Sequence, residues 1–354
     1  MRNGHDYKMK KTGLIIAAAA MLLLTGCGGE AKTDNISAGM EAIQNLQYET
    51  ALQHFDAALE ANENERQLCR GMGLAYMGLS EYENAIAYLE KALQLSDGTP
   101  KDMDFDINYY LAIAYFRNGQ ASDAIGAYDA ILALRPKETE ACFLRGCVKL
   151  ESGNYEGAKQ DFDQAIAQDK ENYDRLIDIY IALADNGYKD VGKEYFQQVI
   201  ADNEKTISDY DMGRIYYYLE DYENARNYLS KVKISTDYEA SLYLGRTYEA
   251  LGDYNYASSI YNDYTLNDQS QPEIYNQLGL CRMQMGEYEL ALSSFQSAMG
   301  IEGNDMMQTL KFNEIVAYEY MKDYKTAAAL MGDYLKSYPD DETAQREYQF
   351  LKTR

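Results

Sequence analysis

One alanine returns along this chain at nearly even intervals. The series runs Ala51, Ala85, Ala124, Ala158, Ala225, Ala257, Ala291 and Ala327, with Gly192 in its one gap. Successive spacings are 34, 39, 34, 34, 33, 32, 34 and 36 residues. Four residues after each stands a bulky side chain: Phe55, Leu89, Tyr128, Phe162, Phe196, Leu229, Tyr261, Phe295 and Met331. A period near 34, with apolar residues at helical spacing in both halves, predicts stacked helical hairpins rather than a fold around one central core. Each hairpin then buries its faces against its neighbours, so 354 residues need not divide into two or three globular domains.

Glycines inside the first helix of these hairpins support the same reading. Gly39, Gly73, Gly146, Gly213, Gly245 and Gly279 recur mid-helix, and Ala112 takes the equivalent place. A glycine there costs a helix about 1 kcal/mol relative to alanine, so close packing against a crossing helix has to offset it. Tyrosines stand at the turn into the second helix: Tyr48, Tyr82, Tyr155, Tyr222, Tyr254, Tyr288 and Tyr324. Such a ring can be buried while its hydroxyl stays in water. The stretch "LGRTYEALGDYNYA" (244–257) shows small residue, tyrosine and closing alanine together.

These residues resemble the tetratricopeptide repeat family. Nine hairpins are expected from about Ser37 to Tyr338, with Pro136 and Pro339 where that family often places proline, and a polar capping helix over roughly 341–352. The resemblance implies an all-α fold, a right-handed α-solenoid. Repeat five departs, with Tyr180 and Gly192 at its small-residue places. Repeat nine has Ile315, and the family's usual tryptophan is missing everywhere.

The N-terminus reads as a targeting segment. Lysines 8, 10 and 11 precede the apolar run Leu14–Leu24, too short to span a bilayer, and Leu-Thr-Gly-Cys follows at once. That tetrapeptide resembles the lipobox of bacterial lipoproteins, which implies acylation of Cys27. The expected organisation is a signal peptide over 1–26, a lipidated cysteine and flexible tether over 27–35, and the repeat array over 36–354. Met9 is a candidate start. The expected location is the extracytoplasmic face of a bacterial membrane, held by the N-terminal lipid only.

Charge narrows the partners. The whole chain carries −24, of which the first 26 residues contribute +3, so the remainder carries −27. Nucleic acid needs a basic face and is not expected. Cys69, Cys142, Cys147 and Cys281 form no CxxC, and Cys142 and Cys147 lie five apart on one helix, so free buried thiols are expected. His54 is the one histidine after the signal segment, and no nucleophile constellation accompanies it. "KDMDFD" (101–106) has the aspartates of a calcium loop, but Ile107 and Ile113 stand where its glycine and glutamate belong. Those aspartates are expected at a helix N-terminus. No enzyme, cofactor or metal is expected.

In the tetratricopeptide family the first helix of each hairpin lines a concave groove. The resemblance therefore implies groove residues Arg70, Tyr109, Phe116, Arg117 and Phe143 in the earlier repeats. In the later repeats it implies Tyr210, Arg214, Tyr217, Tyr218 and Arg246. Arginine and tyrosine are the side chains most used at binding hot spots. Arg214 and Arg246 are expected side by side, suited to a carboxylate-bearing peptide, unless both are internal struts tied to residues such as Glu249. The function expected is an interaction scaffold holding a partner protein or extended peptide. The alternative is a small-ligand or glycan-binding lipoprotein using the tyrosine-rich groove.

Overall fold

The computed structural model describes residues 34–203, 206–233 and 237–354. Cys27 and the whole signal segment lie outside the described residues. Two compact bodies are distinguished, one ending at Gly192 and the other running from Lys193 to Arg354.

The earlier residues form α1 (Asn35–Gln44), α2 (Tyr48–Glu60), α3 (Glu65–Gly78), α4 (Tyr82–Gln94) and α5 (Asp102–Arg117). They continue with α6 (Ala121–Leu134), α7 (Thr139–Glu151), α8 (Tyr155–Gln168), α9 (Tyr173–Asp185) and α10 (Lys189–Asn203). Then follow α11 (Asp209–Tyr218), α12 (Tyr222–Leu229), α13 (Tyr238–Ala250), α14 (Tyr254–Thr265) and α15 (Pro272–Gln284). The last are α16 (Tyr288–Met299), α17 (Met307–Tyr320), α18 (Tyr324–Ser337) and α19 (Glu342–Leu351). Among the described residues there are thus nine hairpins, one further helix and no strand: an α-solenoid.

Packing follows the period. Within each body the second helix of a hairpin lies on the first helix of the next, as α4 does on α5 and α14 on α15. Consecutive first helices also touch, α1 with α3, α3 with α5 and α11 with α13. The closing alanines are all fully buried, as are the bulky residues four positions on, apart from Tyr128 at 1% exposure. The core is therefore a strip handed from hairpin to hairpin.

The mid-helix glycines face those bulky residues sixteen positions later. A β-carbon on Gly39 would stand 2.5 Å from the Phe55 ring, on Gly73 2.6 Å from Leu89, and on Gly146 2.6 Å from Phe162. Repeat five reverses the arrangement. There the large residue, Tyr180, is on the first helix, and Gly192 on the second makes room for it, its β-carbon position lying 2.8 Å from the ring. The departure seen in the sequence is an exchange of sizes across one contact.

Each turn is closed in the same way. Two residues before each second helix opens, on a tyrosine in all but the helices that begin at Ala121 and Lys189, the backbone is left-handed: Leu46, Ser80, Gly119, Gly153, Gly187, Glu220, Gly252, Gly286 and Lys322. The following N–H returns to a carbonyl of the preceding helix, as Gln47 N–H does to Ala42 O at 2.8 Å and Asp323 N–H to Tyr318 O at 3.0 Å. This is the Schellman closure, which satisfies carbonyls the helix end would otherwise strand. The tyrosines themselves are half-buried. Asp and Asn then cap many of the helices, Asp221 accepting from Asn224 N–H and Asp253 from Tyr256 N–H.

Candidate functional site

The densest grouping of the expected groove residues is in the body from Lys193 to Arg354. Ser208 caps α11 by accepting from Asp211 N–H at 3.0 Å. In that helix Tyr210, Arg214, Tyr217 and Tyr218 fall at i, i+4, i+7 and i+8, a single face, while Met212, Gly213 and Ile215 turn inward and are buried. On α13, Glu239, Tyr243 and Arg246 share a face by the same spacing.

Hydrogen bonds and ring contacts join the two faces. Tyr210 donates to Glu239 at 2.6 Å, and the Tyr218 and Tyr243 hydroxyls are 3.1 Å apart. The Tyr217 ring lies edge-on to Tyr218 (5.5 Å), Tyr222 (5.8 Å) and Tyr243 (5.5 Å). Phe196 stacks on Tyr218 at 6.1 Å. Burial pushes the Tyr217 phenol up to about 12, and raises Tyr210 and Tyr243 well above the ordinary phenol range. These hydroxyls are therefore neutral at any physiological pH.

The two arginines are occupied. Arg214 is 6% exposed, pairs with Asp211 on its own helix, and holds its guanidinium 4.5 Å above the Tyr210 ring. Arg246 pairs with Glu273 on α15, which also accepts from Tyr238 at 2.5 Å. Each guanidinium of the expected pair is tied to a carboxylate of its own. The carboxylate that Arg246 meets is Glu273, where the strut alternative named residues such as Glu249. Glu249 instead accepts from Tyr261 at 2.5 Å.

The earlier body holds the other expected residues. Arg70 pairs with Asp106 and stands 5.9 Å from the Tyr110 ring. Tyr109 meets Tyr128 edge-on at 6.1 Å, and Phe116 and Arg117 are half-buried at the end of α5. Phe143 does not belong to an open face. It is 1% exposed, packed against Phe162 and covered by the Arg175 guanidinium at 4.0 Å. Its place on the first helix is as expected, but its side chain is core.

The aspartates of 101–106 act as ion-pair partners. Asp104 accepts from Lys101 N–H at 2.8 Å at the start of α5 and pairs with Arg66, while Asp102 pairs with Arg135 at 2.6 Å. Cys69, Cys142, Cys147 and Cys281 are buried free thiols. Among the described residues no group of three His, Cys, Asp or Glu could hold a metal ion. Among them, too, no helix is long and apolar enough to cross a membrane.

Glu239, Glu273, Tyr243 and Phe196 were not anticipated. A positional signal for the two acids exists in the repeat. Six residues before the small residue of a first helix stand Asp106, Glu140, Glu239 and Glu273. Arg70 and Tyr210, each three residues before the small residue of its own repeat, reach the acid of the next repeat in the same way.

Models described as tetratricopeptide repeats match residues 36–102, 70–139, 139–172, 210–270, 272–305 and 312–341. The chain belongs to the tetratricopeptide repeat family. A tetratricopeptide repeat protein from Parabacteroides merdae is similar in structure, with 17% identity, a TM-score of 0.44 and coverage of 80% of this chain and 97% of that one. The pilF structure from Pseudomonas aeruginosa is similar at 17% identity and a TM-score of 0.41, covering 71% of this chain and 98% of that one. Among curated proteins, BBSome complex member BBS4 of Bos taurus is 22% identical over 153 residues, 43% of this chain. The match spans 28% of that relative's length. Tetratricopeptide repeat proteins generally mediate protein–protein interactions, and the fold is typically a non-catalytic scaffold.

Proposed function

We propose that this chain is a lipid-anchored scaffold of the bacterial envelope that holds a partner protein or extended peptide on its first-helix face. The observation that carries the binding role is the face of α11 and α13, where Tyr210, Tyr217, Tyr218 and Tyr243 gather beside Glu239. Rings of this kind offer rigid contact area with a polar edge, which suits protein recognition. The anchoring role rests on Leu24-Thr25-Gly26-Cys27 after the apolar run. A body of charge −27 leaves a protein as the favoured partner and disfavours nucleic acid.

Cross-linking in intact cells, followed by mass spectrometry, tests the scaffold reading. A photo-reactive side chain at position 217 should capture one protein reproducibly, and capture of none would overturn that reading. The anchor is tested separately. Acylated protein should sediment with membranes and need detergent for release, whereas Cys27→Ala should accumulate as precursor. Wild-type protein that is soluble with an unmodified Cys27 would overturn the anchor.

A further inference from the structure

From the same face we infer the charge of what binds there: a basic, extended segment of the partner, whose lysine or arginine side chains lie against the tyrosine rings. The inference rests on the scaffold reading above and reverses the expectation of a carboxylate-bearing peptide. Such a peptide would need free guanidinium groups. Arg214 is committed to Asp211 and Arg246 to Glu273, and each is largely buried in doing so. With Arg214 6% exposed and the Arg246 side chain 12%, a second carboxylate would have to be buried to reach either.

What is left on the two helices is negative or π-rich. Of the four acids on α11 and α13, Asp211 is paired with Arg214, Asp209 with Lys231, and the buried Glu249 accepts from Tyr261, which leaves Glu239. Glu239 receives a hydrogen bond from a neutral phenol, not from a cation, so its charge is not cancelled within that contact. Beside it, Tyr217 sits at the centre of Tyr218, Tyr222 and Tyr243. Aromatic faces attract ammonium and guanidinium groups through the ring quadrupole, and nearby carboxylates add to that attraction. Charge complementarity thus selects a cationic occupant over an anionic one. Arg214 above Tyr210 shows the same geometry already made within the chain.

The probe is a short extended peptide alternating arginine with alanine, compared with its glutamate counterpart by fluorescence anisotropy on the mature chain. The arginine peptide should bind and the glutamate peptide should not. Because the whole body is acidic, location is decided by variants. Tyr217→Leu, which leaves the charge unchanged, should weaken binding by about fivefold, and Tyr217→Phe should retain it. Glu239→Gln should also weaken it, and more so at low salt. Binding indifferent to both Tyr217→Leu and Glu239→Gln, or tighter binding of the glutamate peptide, would overturn the inference. The cellular cross-link separates the two claims. A captured partner joined through an acidic segment refutes the basic-segment inference and leaves the scaffold standing, and capture of no protein removes the scaffold itself.

Discussion

Gly146 lies directly against Phe162: a β-carbon added to the glycine would stand 2.6 Å from Cε1 of the ring and 3.2 Å from Cβ of Asp161. Phe162 is fully buried, so its ring has nowhere to retreat. Gly146→Ala gains about 1 kcal/mol of helix propensity but must push two packed helices apart, which costs about 1–3 kcal/mol or more. A net loss of stability is expected in urea unfolding. Gly126, on the exposed side of α6, has nothing within 4 Å of its β-carbon position. Gly126→Ala should therefore stabilise the same body by about 1 kcal/mol. Opposite signs from one substitution type check the packing account; equal signs would refute it.

The left-handed turn positions give a second matched pair. Lys322 holds φ at +64°, where a side chain is strained, and it is exposed. Gly252 occupies the equivalent turn two repeats earlier at +79°. Lys322→Gly should raise the melting temperature, with a gain of up to about 1 kcal/mol after the entropy of the added glycine is counted. Gly252→Ala should lower it by a similar amount.

Most of this fold could be read because the repeat samples the same packing problem nine times. Ala51 and its successors, each with a bulky partner four residues on, define the buried strip without reference to any other contact. The size exchange between Tyr180 and Gly192 was visible only as a departure, since its explanation requires knowing that the two residues touch. Tyr210, Tyr217 and Tyr218 came from the family resemblance, which puts the first helix of each hairpin on the groove; helical spacing adds that they share one face. The state of Arg214 and Arg246 was not legible. Whether an arginine is free depends on a carboxylate delivered by another turn or another repeat, and Glu273 lies 27 residues from Arg246. In so acidic a chain, sequence offers too many such carboxylates to choose among. The burial of Phe143 was hidden for a related reason, because the cover over its ring comes from Arg175 on the next repeat.

Tyrosine ionisation provides a test that binding does not enter. An ordinary phenol titrates near 10, whereas burial raises Tyr110 and Tyr217 to about 12 in the folded chain. With the folded value above the unfolded one, the stabilising contribution is complete below about 10 and is lost as pH rises through about 12. The phenolate absorbance of the folded protein should therefore grow in two steps. Tyr217→Phe should diminish the later step and leave the earlier one intact. A later step unchanged by Tyr217→Phe would mean that Tyr217 is not among the raised phenols.

The arginine pair decides between strut and ligand-binding roles. Removing Arg246 leaves Glu273 with Tyr238 as its remaining donor, in a setting where the Arg246 side chain is only 12% exposed and that of Glu273 27%. Removing Arg214 strips Asp211 of its cation and uncovers the Tyr210 ring. Leaving a partly buried carboxylate short of partners costs about 1–3 kcal/mol. Arg214→Ala and Arg246→Ala are each expected to destabilise the body from Lys193 to Arg354 by that amount, read by the unfolding midpoint and by faster hydrogen exchange in α11, α13 and α15. Neither should abolish partner binding at temperatures where the variant remains folded. If instead the double variant kept its stability and lost its partner, the guanidinium groups would be recognition elements, and the basic-segment inference would give way to a carboxylate ligand.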